Sequence, residues 1–247
     1  MQRSRKHPEP LPLAFHWSEH DNPLPRRAIH ASGVPASDGH IALPAVDSGQ
    51  RAHEPFDFCL AMQRLVMNIA IHCPDFRHLH VPRILVTVTQ ARGHHKHGLQ
   101  ARVTPLRFPG GALIRHRRGV PFQIQRYFLG KHEYLYLMTF CLPRFLDLGY
   151  EQKFITLFHE LYHLGPAFDG DIRRHAGRCH IHTQSKREYD KKMAQHASDY
   201  LAGKPDPGIH AFFRYNFAQL QARHGSVNGI VVPHPKIIPL IGPRTST

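Results

Sequence analysis

Nine residues, Tyr134-Leu-Tyr-Leu-Met-Thr-Phe-Cys-Leu142, place the first constraint on this chain. The run is almost continuously apolar, rich in side chains that favour extended backbone, and closed by Pro143, so it reads as a strand. It is the longest apolar candidate in the sequence, yet it falls far short of the ~20 residues that span a bilayer. Directly after it, Tyr150–Leu164 carries Phe154, Leu157, Phe158, Leu161 and Leu164 at helical spacing. Gly165-Pro166 ends that helix, because proline cannot continue the hydrogen-bond ladder and moves its predecessor out of the helical region. With 41% apolar residues in 247, the chain has ample material for a buried core.

The remaining elements follow from the same periodicities. Phe58, Leu60, Ala61, Leu65, Met67, Ile69 and Ala70 predict a helix that stops before Pro74. Ile84-Leu-Val-Thr-Val-Thr-Gln90 predicts a strand, with weaker strands at 112–117 and 123–128. Ser185-Lys-Arg-Glu188 has the spacing of a capping box and opens a predicted helix through Tyr189, Met193, Ala197, Tyr200 and Leu201, ended by Gly203 and Pro205. A last helix is expected over 209–223. Residues 1–55, with prolines at 8, 10, 12, 23, 25, 35, 44 and 55, read as a disordered Pro- and His-rich leader in which 41–46 is a short docking candidate. A domain over 56–230 and a Pro-rich tail over 231–247 complete the expected organisation. Helix, strands, helix, loop, helix is an α+β order, unlike alternating βαβ units. The expected architecture is a mixed or antiparallel sheet backed by the first helix and by the helix at 150–164.

That second helix carries chemistry. His159-Glu160-Leu161-Tyr162-His163 matches HExxH. Positions i and i+4 share one helical face, so both imidazoles can reach one Zn²⁺ at about 2.0–2.1 Å. Glu160, beside the first ligand, is placed to take a proton from a water polarised by the ion and to pass it to a leaving amine. The chain has 23 His and 7 Glu, and random placement would give only ~0.06 such motifs. A catalytic zinc needs a third protein ligand and an open position. Asp169, Asp171, His175, His180 and His182 are the downstream candidates, and spacing alone does not choose among them.

The string His159 to Arg174, then Gly177-Arg178, His182 and Tyr189-Asp190, resembles the phage metallopeptidase family. The resemblance extends upstream through Thr104-Pro-Leu-Arg-Phe-Pro-Gly-Gly111 and Phe140-Cys-Leu-Pro-Arg-Phe-Leu146, and so covers roughly 56–230. More distantly, the layout is similar to SprT-like zinc proteases. The resemblance implies a small zincin-like fold, Zn²⁺ as cofactor, His159, His163 and His182 as ligands, and Glu160 as the catalytic base. His180, Cys179 beside it and Thr183 in place of an expected glycine depart from the family pattern and keep His180 open as the third ligand.

Four scattered cysteines (59, 73, 141, 179) supply no CxxC pair and fit a reducing, cytoplasmic setting. The formal charge is +14, and it is concentrated: residues 76–132 hold no Asp or Glu, 11 Lys+Arg and 7 His. That stretch is a candidate contact for DNA or RNA phosphates, or a solvated basic face. His94-His95-Lys96-His97 reads as a basic turn ahead of a metal tract. Asp171 is a candidate to orient a ligand imidazole, with Arg173 or Arg174 balancing its charge. Tyr189 is a candidate oxyanion donor or a core tyrosine. Together these residues predict a zinc-dependent endopeptidase acting on a protein or peptide, with no membrane partner. The rival readings are a nucleic-acid-associated protein with a structural or vestigial zinc site, and a regulatory peptidase with one protein target at DNA.

Overall fold

The computed structural model describes residues 14–18, 24–30, 54–91, 98–174 and 186–240. Two short strands come first, β1 (Ala14–Trp17) and β2 (Arg26–Ile29), then β3 (Phe56–Asp57) runs into α1 (Phe58–His72). Asp57 caps α1 by accepting the Leu60 N–H at 3.0 Å, which satisfies one of the donors that a helix start leaves open. Strands β4 (Ile84–Gln90), β5 (Ala101–Pro105), β6 (Ile114–Arg117), β7 (Val120–Ile124), β8 (Arg126–Leu129), β9 (His132–Tyr134) and β10 (Tyr136–Leu142) follow. The helices α2 (Tyr150–Tyr162), α3 (Lys186–Ala202), α4 (Pro207–His210) and α5 (Phe217–His224), then β11 (Val227–Ile230) and β12 (Ile237–Pro239), complete the order. The class is α+β, as the element order predicts. Among the described residues no helix is long and apolar enough to cross a membrane.

The central sheet has the order β4-β10-β5 and is mixed: β10 lies parallel to β4, with Tyr136 opposite Ile84, and antiparallel to β5, with Met138 opposite Val103. Every residue of β10 is buried, as are Ile84 to Val88. The continuous apolar run thus marks a strand enclosed by the rest of the molecule. Phe58, Met62, Leu65, Val66 and Ile69 of α1 bury one helical face in the same core. Phe58, Phe140, Phe145 and Phe213 interlock edge to face, with successive centroids 4.7–5.7 Å apart. Such pairs add about 0.5–1.5 kcal/mol each beyond their area burial. Phe154 of α2 joins them against Phe213 at 4.8 Å.

Three expectations need correction. Residues 1–55 do not lack regular structure throughout: β1 pairs parallel with β8, and Phe15 and Trp17 lie against Tyr127 at 5.3 and 5.8 Å. β2 pairs antiparallel with β11, and Arg26 forms an ion pair with Asp57. The region after 230 likewise contributes β12, antiparallel to β7. In each case the partner strand is more than a hundred residues away or across the domain, so no local pattern announces it. The single helix expected over 209–223 is broken. A tight turn at Ala211–Arg214 separates α4 from α5, which restarts behind Asn216 with Gln219 completing a capping box. The docking segment 41–46 and Ser185 of the other capping box lie outside the described residues.

Candidate metal centre

α2 presents its motif on two faces. Phe154, Phe158 and Tyr162, spaced i, i+4, i+8, pack on α3: Phe154 on Tyr200 at 5.9 Å, Phe158 on His196 at 6.1 Å and Tyr162 on Tyr189 at 5.6 Å. One residue further round, His159 and His163 bring their rings together with centroids 4.7 Å apart. Tetrahedral ligation at about 2.0–2.1 Å per nitrogen sets two imidazole centroids roughly 5 Å apart, and the separation of this pair is of that size. Tyr189, on the first turns of α3, closes the pair from the side, 4.8 Å from His159 and 6.0 Å from His163. Burial pushes its phenol well above the ordinary tyrosine range.

Glu160, next to His159, reaches β5. It is only 7% exposed. Burial pushes its carboxyl up to about 7, against the Val103 backbone N–H, which favours the carboxylate. A carboxyl held near neutrality is poised to exchange protons, as a general base requires. β5 is the edge strand of the central sheet. Between its start and α2 runs a cleft of about 230 Å³, lined by Gly98 to Ala101 on one side and by Gln152, Ile155, Thr156, His159 and Glu160 on the other, with Asp190 at its end. The cleft wall at 98–101 is not legible in the sequence, because nothing in Gly-Leu-Gln-Ala marks a binding edge, and Asp190 stands there only within the Tyr189-Asp190 string, without a role.

The end of α2 is held by the loop that follows. His163 is its C-cap, and its carbonyl accepts the Arg173 N–H at 2.7 Å. The Arg173 Nε donates to the Tyr162 carbonyl at 2.9 Å, and its guanidinium lies 4.1 Å from the Tyr162 ring centroid. A cation on the last free carbonyls also complements the helix dipole. Leu164 and Ile172 form a bridge, and the Gly165 N–H bonds to the Asp171 carbonyl at 3.1 Å. A Cβ on Gly165 would stand 2.6 Å from that carbonyl oxygen, so only glycine fits.

Asp171 is bonded to the loop and to its neighbours. Its carboxylate accepts the Gly110 N–H at 2.9 Å, the Ile172 N–H at 2.8 Å and two Arg174 nitrogens at 2.9 and 2.8 Å. Burial alone would raise its carboxyl, but Arg174 and these N–H donors prevail and hold it below the usual range. Among the described residues it braces the loop. Its carbonyl accepts the Tyr136 hydroxyl at 2.8 Å, and that hydroxyl in turn accepts the Gly170 N–H at 3.0 Å.

The strings that carry the family resemblance therefore meet in space. The Thr104–Gly111 segment reaches the 165–172 loop through Gly110 and through the Arg107 N–H, which bonds to the Gly170 carbonyl at 3.1 Å. The 140–146 segment reaches the cleft rim, where Arg144 Nη1 donates to the Leu99 carbonyl at 3.0 Å. His175, Cys179, His180 and His182, and the tract His94 to His97, lie outside the described residues. Among the described residues no group of three His, Cys, Asp or Glu side chains is gathered as a metal site. Asp169 donates no ligand to the pair; its Oδ1 accepts the Asp171 N–H at 3.0 Å. Comparison of the chain with family models, with curated proteins and with solved structures finds no match.

Proposed function

We propose that this chain is a zinc-dependent endopeptidase whose ion is held by His159, His163 and, from the segment after the 165–174 loop, His182. One observation carries the reading: an imidazole pair at ligand spacing stands beside a buried glutamate that faces the sheet's edge strand across an open cleft. The resemblance to phage metallopeptidases and to SprT-like zinc proteases supports it. A bound zinc supplies Lewis acidity, polarising the scissile carbonyl and stabilising the oxyanion. The chain's own residues do the rest. Glu160 accepts a proton from the attacking water and delivers it to the departing amine. The outer edge of β5, beside the Val103 N–H that Glu160 holds, receives the substrate as an added strand, so that backbone hydrogen bonds lay the scissile bond along the cleft.

This reading is tested by digestion of an unstructured protein such as casein. In zinc-loaded preparations, Glu160→Gln should lower the cleavage rate by about 10²–10⁴-fold while leaving zinc content intact. Undiminished proteolysis by that variant would show that the motif is not the catalytic machinery.

A further inference from the structure

The basic stretch divides once it is folded. Arg107 and Arg126 turn onto Glu133, at 2.7 and 2.6 Å, and share that one carboxylate. Three more, Arg115, Arg117 and Arg118, stand together on a hairpin, while Arg77, Arg83, Arg102 and Lys131 lie singly elsewhere. β6 is exposed at all four of its positions, and Arg115, His116, Arg117 and Arg118 follow one another along it into the turn. Arg118 and Gly119, at φ 50° and 76°, both take left-handed backbone, the combination whose twist matches that of a two-residue hairpin. β7 and β12 complete the sheet in the order β12-β7-β6. From 112 to 132 and from 231 to 247 there is no carboxylate side chain, whereas Lys236 adds a further exposed cation. Among the described residues Arg115, Arg117 and Arg118 make no ion pair. A cleft of about 610 Å³ opens on this sheet, lined by Phe108, Arg115, His116, Arg117, Phe122 and Ile237.

We infer that the 114–124 hairpin is a nucleic-acid-binding finger that takes the phosphodiester backbone on its arginines. A strand rises about 3.3–3.4 Å per residue, so Arg115 and Arg117 stand about 7 Å apart on one face, close to the separation of successive phosphates. The partly exposed Phe122 beside them offers a surface on which a base can stack. A ribbon exposed on both faces can enter a groove or be wrapped by a polyphosphate chain. An acidic peptide added to one edge would leave half of that charge uncovered. The finger is rooted on the α2 loop, where Gly110 donates to Asp171 and Gly111 lies against Asp169.

The test is binding of a fluorescein-labelled 20-nucleotide oligo-dT, and of a duplex of equal length, by the full chain over a series of salt concentrations. Arg115→Ser/Arg117→Thr/Arg118→Asn removes the three charges and keeps Gly119, with asparagine placed where left-handed backbone suits it. Arg27→Ser/Arg64→Ser/Arg77→Ser removes three exposed charges elsewhere and controls for net charge. The hairpin variant should bind at least tenfold more weakly, with its log–log salt slope shallower by about 2–3, roughly 0.7–0.9 for each phosphate no longer neutralised. The control should keep the wild-type slope. Equal losses in both variants, unchanged binding by the hairpin variant, or hairpin-dependent binding of poly-glutamate without DNA would each overturn the inference. A matching thermal unfolding transition establishes that each variant is folded. No proteolysis enters this readout, so it fails or succeeds apart from the peptidase reading.

Discussion

Lys153 is the residue whose environment departs furthest from what its type prefers. It lies on α2, two turns before the ligand pair, with 1% of its surface exposed. Its Nζ donates to the Phe213 and Tyr215 carbonyls at 2.8 and 2.7 Å, which ties α2 to the break between α4 and α5. Burial drives its pKa down from 10.5 to about 8. Below pH 8 the folded and unfolded chains both hold this proton. Between about 8 and 10.5 the unfolded chain keeps it while the folded chain has released it, so this group makes stability rise with pH across that window. The gain is on the order of 3 kcal/mol, at about 1.4 kcal/mol per unit. Chemical denaturation at pH 7.5 and pH 10 should show this increment in the wild type and its loss in Lys153→Met. A pH dependence identical in both proteins would contradict the assignment. Nothing in the sequence distinguishes Lys153 from a surface lysine, because its carbonyl partners are sixty residues away.

Among the elements, α1, α2, β4 and β10 are legible because their patterns are local: an apolar face repeating every three to four residues, or an unbroken apolar run ended by proline. β5 is not. Arg102 and Thr104 alternate with Ala101 and Val103, and the strand acquires meaning only by pairing with β10. The loop after α2 is legible as a string and not as a mechanism. Among the described residues the bonds of Asp171 go to Gly110, Ile172 and Arg174, so that it fixes the hairpin root to the strand bridge at Ile172 and to Arg174. Removing it leaves two part-buried N–H donors and a guanidinium without their acceptor, and each lost bond costs about 0.5–1.5 kcal/mol, more where the partner is charged. Asp171→Ala should therefore lower unfolding free energy by at least about 2 kcal/mol and reduce zinc retention. Asp171→Asn should recover part of the stability through its remaining carbonyl oxygen. An alanine variant as stable as wild type would rule out this bracing role.

Taken entire, the fold is a mixed sheet enclosed by α1 and α2, with strands from both ends of the chain closing its flanks. Those flanking pairings, β1 on β8, β2 on β11 and β12 on β7, join Ala14–Trp17, Arg26–Ile29 and Ile237–Pro239 to strands more than a hundred residues away. A reading that moves along the sequence treats such segments as tails, since proline-rich stretches with four-residue strands carry little periodicity of their own. The candidate centre is distributed in the same way. The motif supplies His159, Glu160 and His163 within five residues, β5 supplies the wall opposite Glu160, and α3 supplies Tyr189. Everything proposed for this assembly depends on its holding one metal ion. Elemental analysis of zinc per chain decides that, on wild type, His163→Ala and His182→Ala purified and dialysed alike. About one zinc is expected in the wild type and essentially none in His163→Ala, with His182→Ala reduced as strongly. Equal zinc in wild type and His163→Ala, or none in either, would contradict the metal centre.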